Sequence, residues 1–359
     1  MVRVLRGDQQ LLLSRSTVES TLRYLDLRGL LERQEAVAEG SGRPPVRYAF
    51  RRRCAHAVGV HVGERAVRAM LVDVGRGRSY KQDDRAVSSP WECLVEVAVD
   101  APRAARLSAM ASACVNVLAT AGLGAEHIDA VVAATPGIIG PDGTVLECGV
   151  LKDWRGLPLA AHLRETFPDC RVRVDNDANL AAHGQAHVGE PGRAADLLYV
   201  LAGTRIGLGV VLDGQVRHGA NHRAGESANV EGSPWHRANV WLREHAEALG
   251  LPRGGHRVVT AADMGPLAVH LANGIADAVH LLDPDLVVVG GALTEQADLF
   301  LDRVAAELAT RCRPQRSAPA IEVSPFGERA VIVGAAVAAC GDAREMIFTD
   351  LPDRAGYRP

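Results

Sequence analysis

Several short segments of the 359-residue chain carry residue types that could bind or activate a hydroxylated molecule. The segment VDNDANLAA places Asn176 and Asp177 at a predicted strand-to-helix junction. There a carboxylate can accept a proton from a bound hydroxyl that the neighbouring amide orients. The loop AGESAN adds Glu226 and Asn229, whose polar groups can hydrogen-bond a polyol. Capping of the following helix by Asp175, Asn176 or Asp177 is the simpler alternative.

Two glycine turns could serve a different chemistry. In LAGTRIGLG and VVVGGAL the candidate residues are Gly203, Thr204, Gly290 and Gly291. Backbone N–H groups in such turns can approach a phosphate or a nucleotide. Because every α/β protein contains glycine turns, the two segments alone indicate only candidate nucleotide-binding positions.

The elements that must position these residues form two similar series. From Ala57 two β-rich runs, a weaker third run near Arg85–Val87, a helix over about Arg103–Ala121 and the apolar run IDAVVAATPG follow one another. The second series has the strands LLYVLAG, IGLGVVLDG, QVRHG and DLVVVGG, with helices around Pro266–Leu282, from Leu293 to Arg311 and from Arg329. This order predicts two α/β halves with a ligand cleft where the strand ends meet.

The first 50 residues have a different character. The segment SRSTVESTLRYLDLRGLL predicts a short amphipathic helix with Ser14 as N-cap and Gly29 as its stop. Its apolar positions are Val18, Leu22, Leu25 and Leu27. The segment GSGRPPVRYAF then predicts a tight loop and a returning strand over 46–50, the layout of a winged helix. A helical hairpin that merely packs on the body is the alternative.

A complete winged helix-turn-helix needs further helices before its recognition helix. Only 13 residues precede Ser14, which is room for about one short helix. The head is therefore predicted to be a shortened winged helix.

The charge distribution separates the head from the body. Residues 1–53 contain eleven arginines and six acidic residues, so the head carries +5 and the rest of the chain −8. This split predicts an anion-binding appendage, with nucleic acid as the first partner to test. A solvated linker around Arg53 is the alternative.

Compartment and membrane contact can also be predicted. The seven cysteines form no CxxC pair, which is typical of thiols in a reducing cytoplasm. The N-terminal segment has no apolar core of signal-peptide length, and no uninterrupted apolar run reaches about 18 residues. We expect a cytoplasmic protein without membrane contact.

Taken together, the ordered motifs resemble the ROK family of bacterial sugar kinases and sugar-responsive repressors. The resemblance runs from about Ser14 to Ala339 and rests on SRSTV, GRPPVRY, TPGIIGPDGTV, WRGLPL, VDNDANLAA, GTRIGLGVVLDGQVRHG, AGE, DPDLVVVGGAL and VIVGAAVAA. It implies an α/β, two-lobed, actin-like (ribonuclease-H-like) body preceded by a partial winged helix-turn-helix. Family members with such a head are usually repressors.

The resemblance also implies a sugar site in the cleft. It assigns Asp177 as the catalytic base of an enzyme and ligand-binding roles to Gly137, Asn176, Asp177, Glu226 and Asn229. Asn229 stands where the family has histidine, and Val150 stands where it has asparagine. No cysteine lies between 228 and 259, so the family's zinc site lacks its thiolate ligands, and we expect neither zinc nor another metal.

The phosphate-facing turns depart further from the family kinases. In those kinases the first turn reads Asp-x-Gly-Gly-Thr, and here His61, Glu64 and Arg65 occupy the aspartate, second glycine and threonine positions. In the second turn Gly-Thr-Gly becomes Gly203-Thr204-Arg205. Phosphoryl transfer depends on positioning and charge neutralisation, so these changes weigh against kinase activity. ATP and Mg²⁺ are expected only if that activity survives.

These observations lead to one main hypothesis and two alternatives. The chain is interpreted as a transcriptional regulator without kinase activity that binds DNA through the head and a sugar-like ligand in the cleft. The first alternative is a ROK-fold enzyme, either a residual sugar kinase or a repurposed biosynthetic enzyme, with Asp177 as base. The second is a catalytically inactive ligand-binding protein that dimerises.

The predicted domains and partners follow from the main hypothesis. The head spans 1–53, the two lobes span 54–175 and 176–345, and a tail spans 346–359. We expect a homodimer or homotetramer. DNA contacts are predicted for Arg15, Ser16, Thr17, Ser20, Arg23 and Arg43.

Overall fold

The computed structural model describes residues 2–6, 9–27, 29–34, 47–50, 55–74, 89–188, 195–245, 260–312 and 318–349. The strands of the head are β1 (Val2–Arg6), β2 (Gln9–Leu13), β3 (Leu31–Gln34) and β4 (Arg47–Phe50). The body strands are β5 (His56–Val62), β6 (Ala66–Asp73), β7 (Glu92–Glu96), β8 (Ala130–Thr135), β9 (Ile138–Ile139), β10 (Val145–Glu147), β11 (Arg171–Asn176), β12 (Leu197–Ala202), β13 (Ile206–Leu212), β14 (Gln215–Val216), β15 (Leu286–Gly290) and β16 (Ala320–Val323).

The helices are α1 (Arg15–Leu27), α2 (Arg103–Ala121), α3 (Leu159–Thr166), α4 (Asp177–His187), α5 (Pro234–His245), α6 (Gly265–Leu282), α7 (Leu301–Arg311) and α8 (Ala330–Thr349). Helix α8 includes the first four residues of the tail predicted at 346–359, and residues 350–359 lie outside the described part of the chain.

Two five-stranded sheets form the body, in the orders β11-β8-β5-β6-β7 and β14-β13-β12-β15-β16. In each sheet the two outer strands on one side run parallel to their neighbours, whereas the hairpin strands run antiparallel. The apolar run of β8 is buried along its whole length, as expected of a central strand with covered faces. The body is thus the two-lobed α/β fold that the sequence predicts.

Helices α4 and α8 pack between the two sheets. Their backbones approach so closely at Gly184 and Gly334 that a β-carbon on Gly184 would lie 2.7 Å from the Gly334 Cα. Gly59 of β5 allows the same close approach to Ala336 of α8. Small residues are therefore needed where α4, α8 and β5 cross. This packing fixes the position of α4, whose N-terminus lies at the cleft.

The outer faces of the sheets carry separate apolar cores. Helices α2 and α3 cover the first sheet, and α5, α6 and α7 cover the second. Among the described residues, α2 is the helix long and apolar enough to cross a membrane by composition. It instead packs one face on β6 and β7, with Met110 and Val117 buried there.

The head contains the predicted helix and returning strand. Ser14 caps α1 by accepting a hydrogen bond from the Thr17 N–H at 3.0 Å, and Gly29 ends it with φ +70°. Strands β3 and β4 pair antiparallel, while most of the loop between them, including Arg43, lies outside the described residues. Before α1, the chain forms the antiparallel pair β1 and β2 and not the short helix for which the sequence leaves room.

The head packs onto the body through its apolar side. Leu25, Leu30 and Leu31 are almost fully buried and belong to the same core as β5, α4 and α8. Leu27 was expected on this face, but its side chain is 81% exposed. The alternative interpretation, a helical hairpin that packs on the body, also predicted that the head helix lies against the body, as the structure shows.

One further prediction is wrong, and another falls on residues that the structure does not describe. The helix predicted from Leu293 to Arg311 is broken: a 3₁₀ segment spans Ala292–Leu299, and α7 starts after Phe300 turns into the core. The edge strand of the first sheet is β7, whereas the weak run near Arg85–Val87 lies outside the described residues.

Candidate functional site

The N-terminus of α4 forms the floor of the cleft between the sheets. Asn176 caps the helix: its Oδ1 accepts hydrogen bonds from the N–H groups of Ala178 at 2.8 Å and Asn179 at 3.2 Å. Its Nδ2 donates to the Gly137 carbonyl at 2.9 Å. The capping alternative is therefore confirmed for Asn176, and the same bonds join the strand end of β11 to the turn after β8.

Asp177 is the first residue of α4 and stands half-buried in the cleft. Burial raises the pKa of its carboxyl to about 6, although a hydrogen bond from the Ala178 N–H at 2.8 Å opposes the shift. A carboxylate with a pKa this close to neutral can accept a proton from a hydroxyl more readily than an ordinary aspartate. Its position and protonation agree with the role of a base or of a hydrogen-bond acceptor for a polyol.

Glu226 approaches the same point from the second half of the chain. Burial and then the nearby Asp177 charge raise the pKa of Glu226, while Arg223 counteracts them. Asn229 donates to Glu226 Oε2 at 2.5 Å. The structure thus brings Asp177, Glu226 and Asn229 together, although Asn229 itself is exposed.

Gly137 shapes the wall opposite α4. Its φ of +115° is accessible mainly to glycine, and a β-carbon here would collide with the Glu147 carbonyl and approach Cys148 Cβ to 3.1 Å. A buried hydrogen bond supports this turn: the Trp154 Nε1–H donates to Thr135 Oγ1 at 2.9 Å, and both side chains are fully buried. Gly137 therefore contributes backbone shape, and its carbonyl is already bound to Asn176.

Glu147 and Cys148 also line the cleft, although the sequence did not predict a role for them. Glu147 of β10 forms an ion pair with Arg223, which crosses from one half of the chain to the other. The thiol of Cys148 accepts from the Leu151 N–H at 3.4 Å. Burial and then the Asp177 charge raise the Cys148 pKa, and Arg205 opposes them. The sequence feature that could have indicated these two residues is the polar pair Glu147-Cys148 at the end of an apolar strand.

The two turns that resemble phosphate-binding loops bind each other. Thr204 Oγ1 donates to Glu64 Oε2 at 3.2 Å, so the turn after β12 contacts the turn after β5 across the cleft. A carboxylate is therefore held where the family kinases have glycine. His61, at the family's aspartate position, has its pKa lowered to about 4 by burial and by Arg68, which leaves the imidazole neutral.

A buried arginine fixes the first of these turns. Arg106 of α2 is fully buried, and its Nη1 donates to the carbonyls of Gly63 at 2.7 Å and Glu64 at 3.0 Å. Its Nη2 donates to the carbonyls of Ala98 at 3.2 Å and Val99 at 3.3 Å. In the sequence, Arg106 could have been noticed as a charged residue on the apolar face of the predicted helix. Because its two terminal nitrogens donate to four backbone carbonyls and the side chain is fully buried, Arg106 supports the turn and does not face the cleft.

The glycines assigned to nucleotide binding have different roles. A β-carbon on Gly290 would collide with the Tyr199 hydroxyl, and Gly291 adopts φ +94° against the Ala202 carbonyl. Packing and backbone shape therefore explain these two glycines. At Gly203 a β-carbon would meet open space.

Metal binding can be assessed over the part of the chain that the structure describes. Within it, no group of three or more His, Cys, Asp and Glu side chains is arranged to hold a metal ion. His236 and His245 lie apart on α5, while His256 falls outside the described ranges.

The head presents the predicted polar face. Arg15, Ser16, Ser20 and Arg23 are exposed, whereas Thr17 is half-buried. Arg15 Nε pairs with Glu19 Oε1 at 2.8 Å, which places a carboxylate on the same face. Two arginines and two hydroxyls thus remain accessible on one side of α1.

Comparison with known proteins identifies the family of this fold. The ROK family profile matches residues 79–229 and 257–341. The chain is 27% identical over 239 residues to a glucokinase of Halalkalibacterium halodurans, which covers 55% of this chain and 72% of that protein. It is 28% identical over 238 residues to a xylose repressor of Caldicellulosiruptor bescii, covering 55% of this chain and 59% of that protein.

Solved structures show the same architecture. A ROK family transcriptional regulator described as a homologue of the E. coli MLC protein aligns with TM-score 0.70 at 16% identity, over 94% of this chain and 91% of the regulator. A ROK family glucokinase from Streptomyces griseus, solved with glucose and AMPPNP, aligns with TM-score 0.61 at 22% identity, over 79% of this chain and 99% of the kinase. The fold agrees with the profile match, which covers more than half of the chain, and the chain belongs to the ROK family.

Proposed function

We propose that this protein is a cytoplasmic ROK-type transcriptional regulator that binds DNA through residues 1–53 and a sugar-like ligand in the interlobe cleft. The observation that carries the proposal is the exposed, arginine-bearing face of α1 on a head that packs against the body. Arg23 and Ser20 lie on this face, while Leu25 on the other side is buried. A helix face of this kind suits phosphate contacts and base edges.

The comparisons support the same proposal. The aligned regulator extends over 94% of this chain and the aligned glucokinase over 79%. Xylose repressors are among the relatives, so a pentose or hexose is the natural first ligand to test. The acceptors Asp177 and Glu226 suit the hydroxyls of such a ligand.

The bond between Thr204 and Glu64 argues against phosphoryl transfer. It places a negative charge and a direct interlobe contact where phosphates would have to enter. Electrostatic neutralisation supplies most of the catalysis in phosphoryl transfer, so a carboxylate at this point opposes the reaction. The proposed regulator binds its ligand without phosphorylating it, needs no zinc, and forms homodimers or homotetramers.

Fluorescence anisotropy with a duplex from the region upstream of the protein's own gene tests DNA binding. We expect affinity to fall with salt, and Arg23→Ala to weaken binding and to reduce the salt slope by about 1. Arg164→Ala, which removes an exposed charge from α3 on the body, is the matched control and leaves binding unchanged. The absence of salt-sensitive binding at low ionic strength would refute the proposal.

One observation favours a second function. Asp177 keeps both the position and the near-neutral pKa of a general base, which suits a ROK-fold enzyme, either a residual sugar kinase or a repurposed one. An ADP-release assay with glucose, xylose and amino sugars tests the kinase version. Turnover that disappears in Asp177→Asn supports it, and no turnover across these sugars eliminates it.

A further inference from the structure

A histidine and an aspartate join the two halves of the body beside the candidate ligand site. His218 Nε2 lies 2.8 Å from Asp175 Oδ2, and the imidazole donates when this nitrogen carries a proton. Asp175 ends β11 in the first sheet and is only 6% exposed. His218 follows β14 in the second sheet and is half-buried. The contact therefore crosses the cleft.

The aspartate is held firmly from its own side. Asp175 Oδ1 accepts hydrogen bonds from the Asn176 N–H at 2.7 Å and from Asn179 Nδ2 at 3.2 Å. Both donors belong to the cap and first turn of α4. The Asp175 carboxylate is thus fixed relative to Asp177, which follows it by two residues.

His218 belongs to the same loop as Glu226. The His218 carbonyl accepts a hydrogen bond from the Ala224 N–H at 3.0 Å, which closes the loop. Gly225 then adopts φ +86°, and a β-carbon there would collide with the Leu208 carbonyl of β13. The position of His218 consequently determines where Glu226 enters the cleft.

We propose that His218 is a positioning residue of the ligand site, whose imidazolium binds Asp175 across the cleft and thereby keeps Glu226 opposite Asp177. The inference rests on the proposed ligand site and adds a proton-dependent element to it. Loss of the His218 proton weakens the contact, loosens the loop over 217–229 and separates the two acceptors.

Other charged groups around the pair determine how it titrates. On β11, Arg173 Nη1 lies 3.8 Å from Asp175 Oδ2, while Arg173 Nε donates to Asp342 of α8 at 2.9 Å. On α4, His183 faces Asp175, and burial lowers the His183 pKa to about 3, so that it stays neutral. On the loop itself, the His222 ring centroid lies 5.6 Å from that of His218.

The sign of the pH dependence follows from these contacts. The hydrogen bond to Asp175 raises the pKa of His218, although burial and Arg173 oppose it. Burial acts to raise the pKa of Asp175, but the hydrogen bonds that its carboxylate accepts, first of all the one from His218, lower this pKa overall. A raised histidine pKa means that the stabilising contact is complete below about pH 6.5 and is lost as pH rises through the folded-state pKa. The carboxylate keeps the contact intact down to strongly acidic pH.

Hydrogen exchange measured by mass spectrometry on the full chain tests the proposal without any ligand. Protection of peptides from 217–229, corrected for the intrinsic exchange rate at each pH, is expected to fall about fivefold to tenfold between pH 6 and pH 9. In His218→Gln protection is low at every pH. In His218→Arg, which keeps a permanent cation, protection is high and independent of pH.

His222→Asn is the matched control, since it removes a neighbouring imidazole from the same loop and asparagine tolerates the φ of +56° at this position. It should keep the wild-type pH profile. A wild-type profile as flat as that of His218→Gln, or an equal loss in His222→Asn, overturns the proposal.

A second measurement does not depend on the stability of any one variant. In a chain with ¹³C-labelled histidine, NMR titration should give His218 a pKa above its ordinary value, and Asp175→Asn should return it toward that value. An unchanged His218 titration in Asp175→Asn overturns the proposal. Neither experiment contains DNA or sugar, so their failure leaves the proposed function standing, and failure to bind DNA leaves the Asp175–His218 contact standing.

Discussion

The hydroxyl of Thr204 donates a hydrogen bond to the carboxylate of Glu64 at 3.2 Å and so joins the two turns that face each other across the cleft. Arg106 holds the Glu64 turn from behind through backbone carbonyls. This contact places a carboxylate in the cleft, at the turns whose counterparts in the family kinases face the phosphates. Near Glu226 the halves are joined by a second side-chain contact, the ion pair of Glu147 with Arg223, so the cleft is bridged at both places.

Replacing Glu64 is expected to make the cleft more accessible to nucleotides. Removing one negative charge that lies near a triphosphate in a partly solvated cleft should improve the binding free energy by about 1–2 kcal/mol, which corresponds to about tenfold in affinity. We expect Glu64→Gly to bind a fluorescent ATP analogue with Mg²⁺ about tenfold more tightly than the wild type, as measured by anisotropy.

Two further variants separate charge from contact. Glu64→Gln keeps an acceptor for Thr204 but removes the charge, and should give most of the gain. Thr204→Val removes the contact but keeps the charge, and should give little. Equal nucleotide affinity in the wild type and Glu64→Gly would show that Glu64 does not control this side of the cleft.

Asp177 should destabilise the folded protein at neutral pH. Its pKa is higher in the folded chain, about 6, than its ordinary value of 3.8, so the folded state binds more protons between these values. The free energy of unfolding therefore falls as pH rises through this window. Asp177→Asn should be more stable than the wild type by about 2 kcal/mol at pH 7.5, allowing for partial exposure, and by much less at pH 4.

Urea unfolding at both pH values measures this difference. Asp142→Asn is the control with the opposite sign, because hydrogen bonds from Thr144 lower the pKa of the exposed Asp142 carboxyl. A stability gain in Asp177→Asn that is the same at pH 4 and pH 7.5 would contradict the raised pKa.

The contact between head and body should depend on Leu25 and not on Leu27. Both leucines lie on α1, yet Leu25 is 5% exposed and Leu27 is 81% exposed. Truncation of a buried leucine usually costs about 2–5 kcal/mol, whereas exposed positions cost within about 0.5 kcal/mol. We expect Leu25→Ala to increase proteolysis and hydrogen exchange of α1 strongly, and Leu27→Ala to leave both unchanged. Equal effects of the two substitutions would show that α1 is not held by Leu25.

Much of the body could be predicted because its signals are local. The apolar run before Gly137 became the buried strand β8, the strand predicted before Asp177 became β11, and the segment Arg103–Ala121 became a helix with these bounds. In each case a periodic apolar pattern ended at a glycine or a capping residue. Only the resemblance to a family paired Asp177 with Glu226, because the 48 residues between them in the chain leave no local signal.

The remaining site residues depend on long-range contacts that periodicity does not encode. Arg106 and Glu64 meet because α2 packs on the strands beside β5, and His218 meets Asp175 because the two sheets share α4 and α8. Leu27 follows the apolar spacing of α1, but the body covers only the side that carries Leu25. Such contacts are decided by packing between distant segments, which overrides the local pattern.

The hydrogen bond from Trp154 to Thr135 should determine how firmly the Gly137 turn is held. Both side chains are fully buried, and the indole N–H donates to the Thr135 hydroxyl at 2.9 Å. Thr135→Val keeps the shape but leaves the indole N–H without its acceptor, which should lower the free energy of unfolding by about 1–3 kcal/mol. Thr135→Ser keeps the hydroxyl and loses one methyl group, so about 1 kcal/mol is expected. Urea unfolding gives both values, and hydrogen exchange of residues 136–148 should increase in Thr135→Val more than in Thr135→Ser. The reverse order would mean that packing of the threonine methyl, and not the hydrogen bond, supports the Gly137 turn of the candidate site.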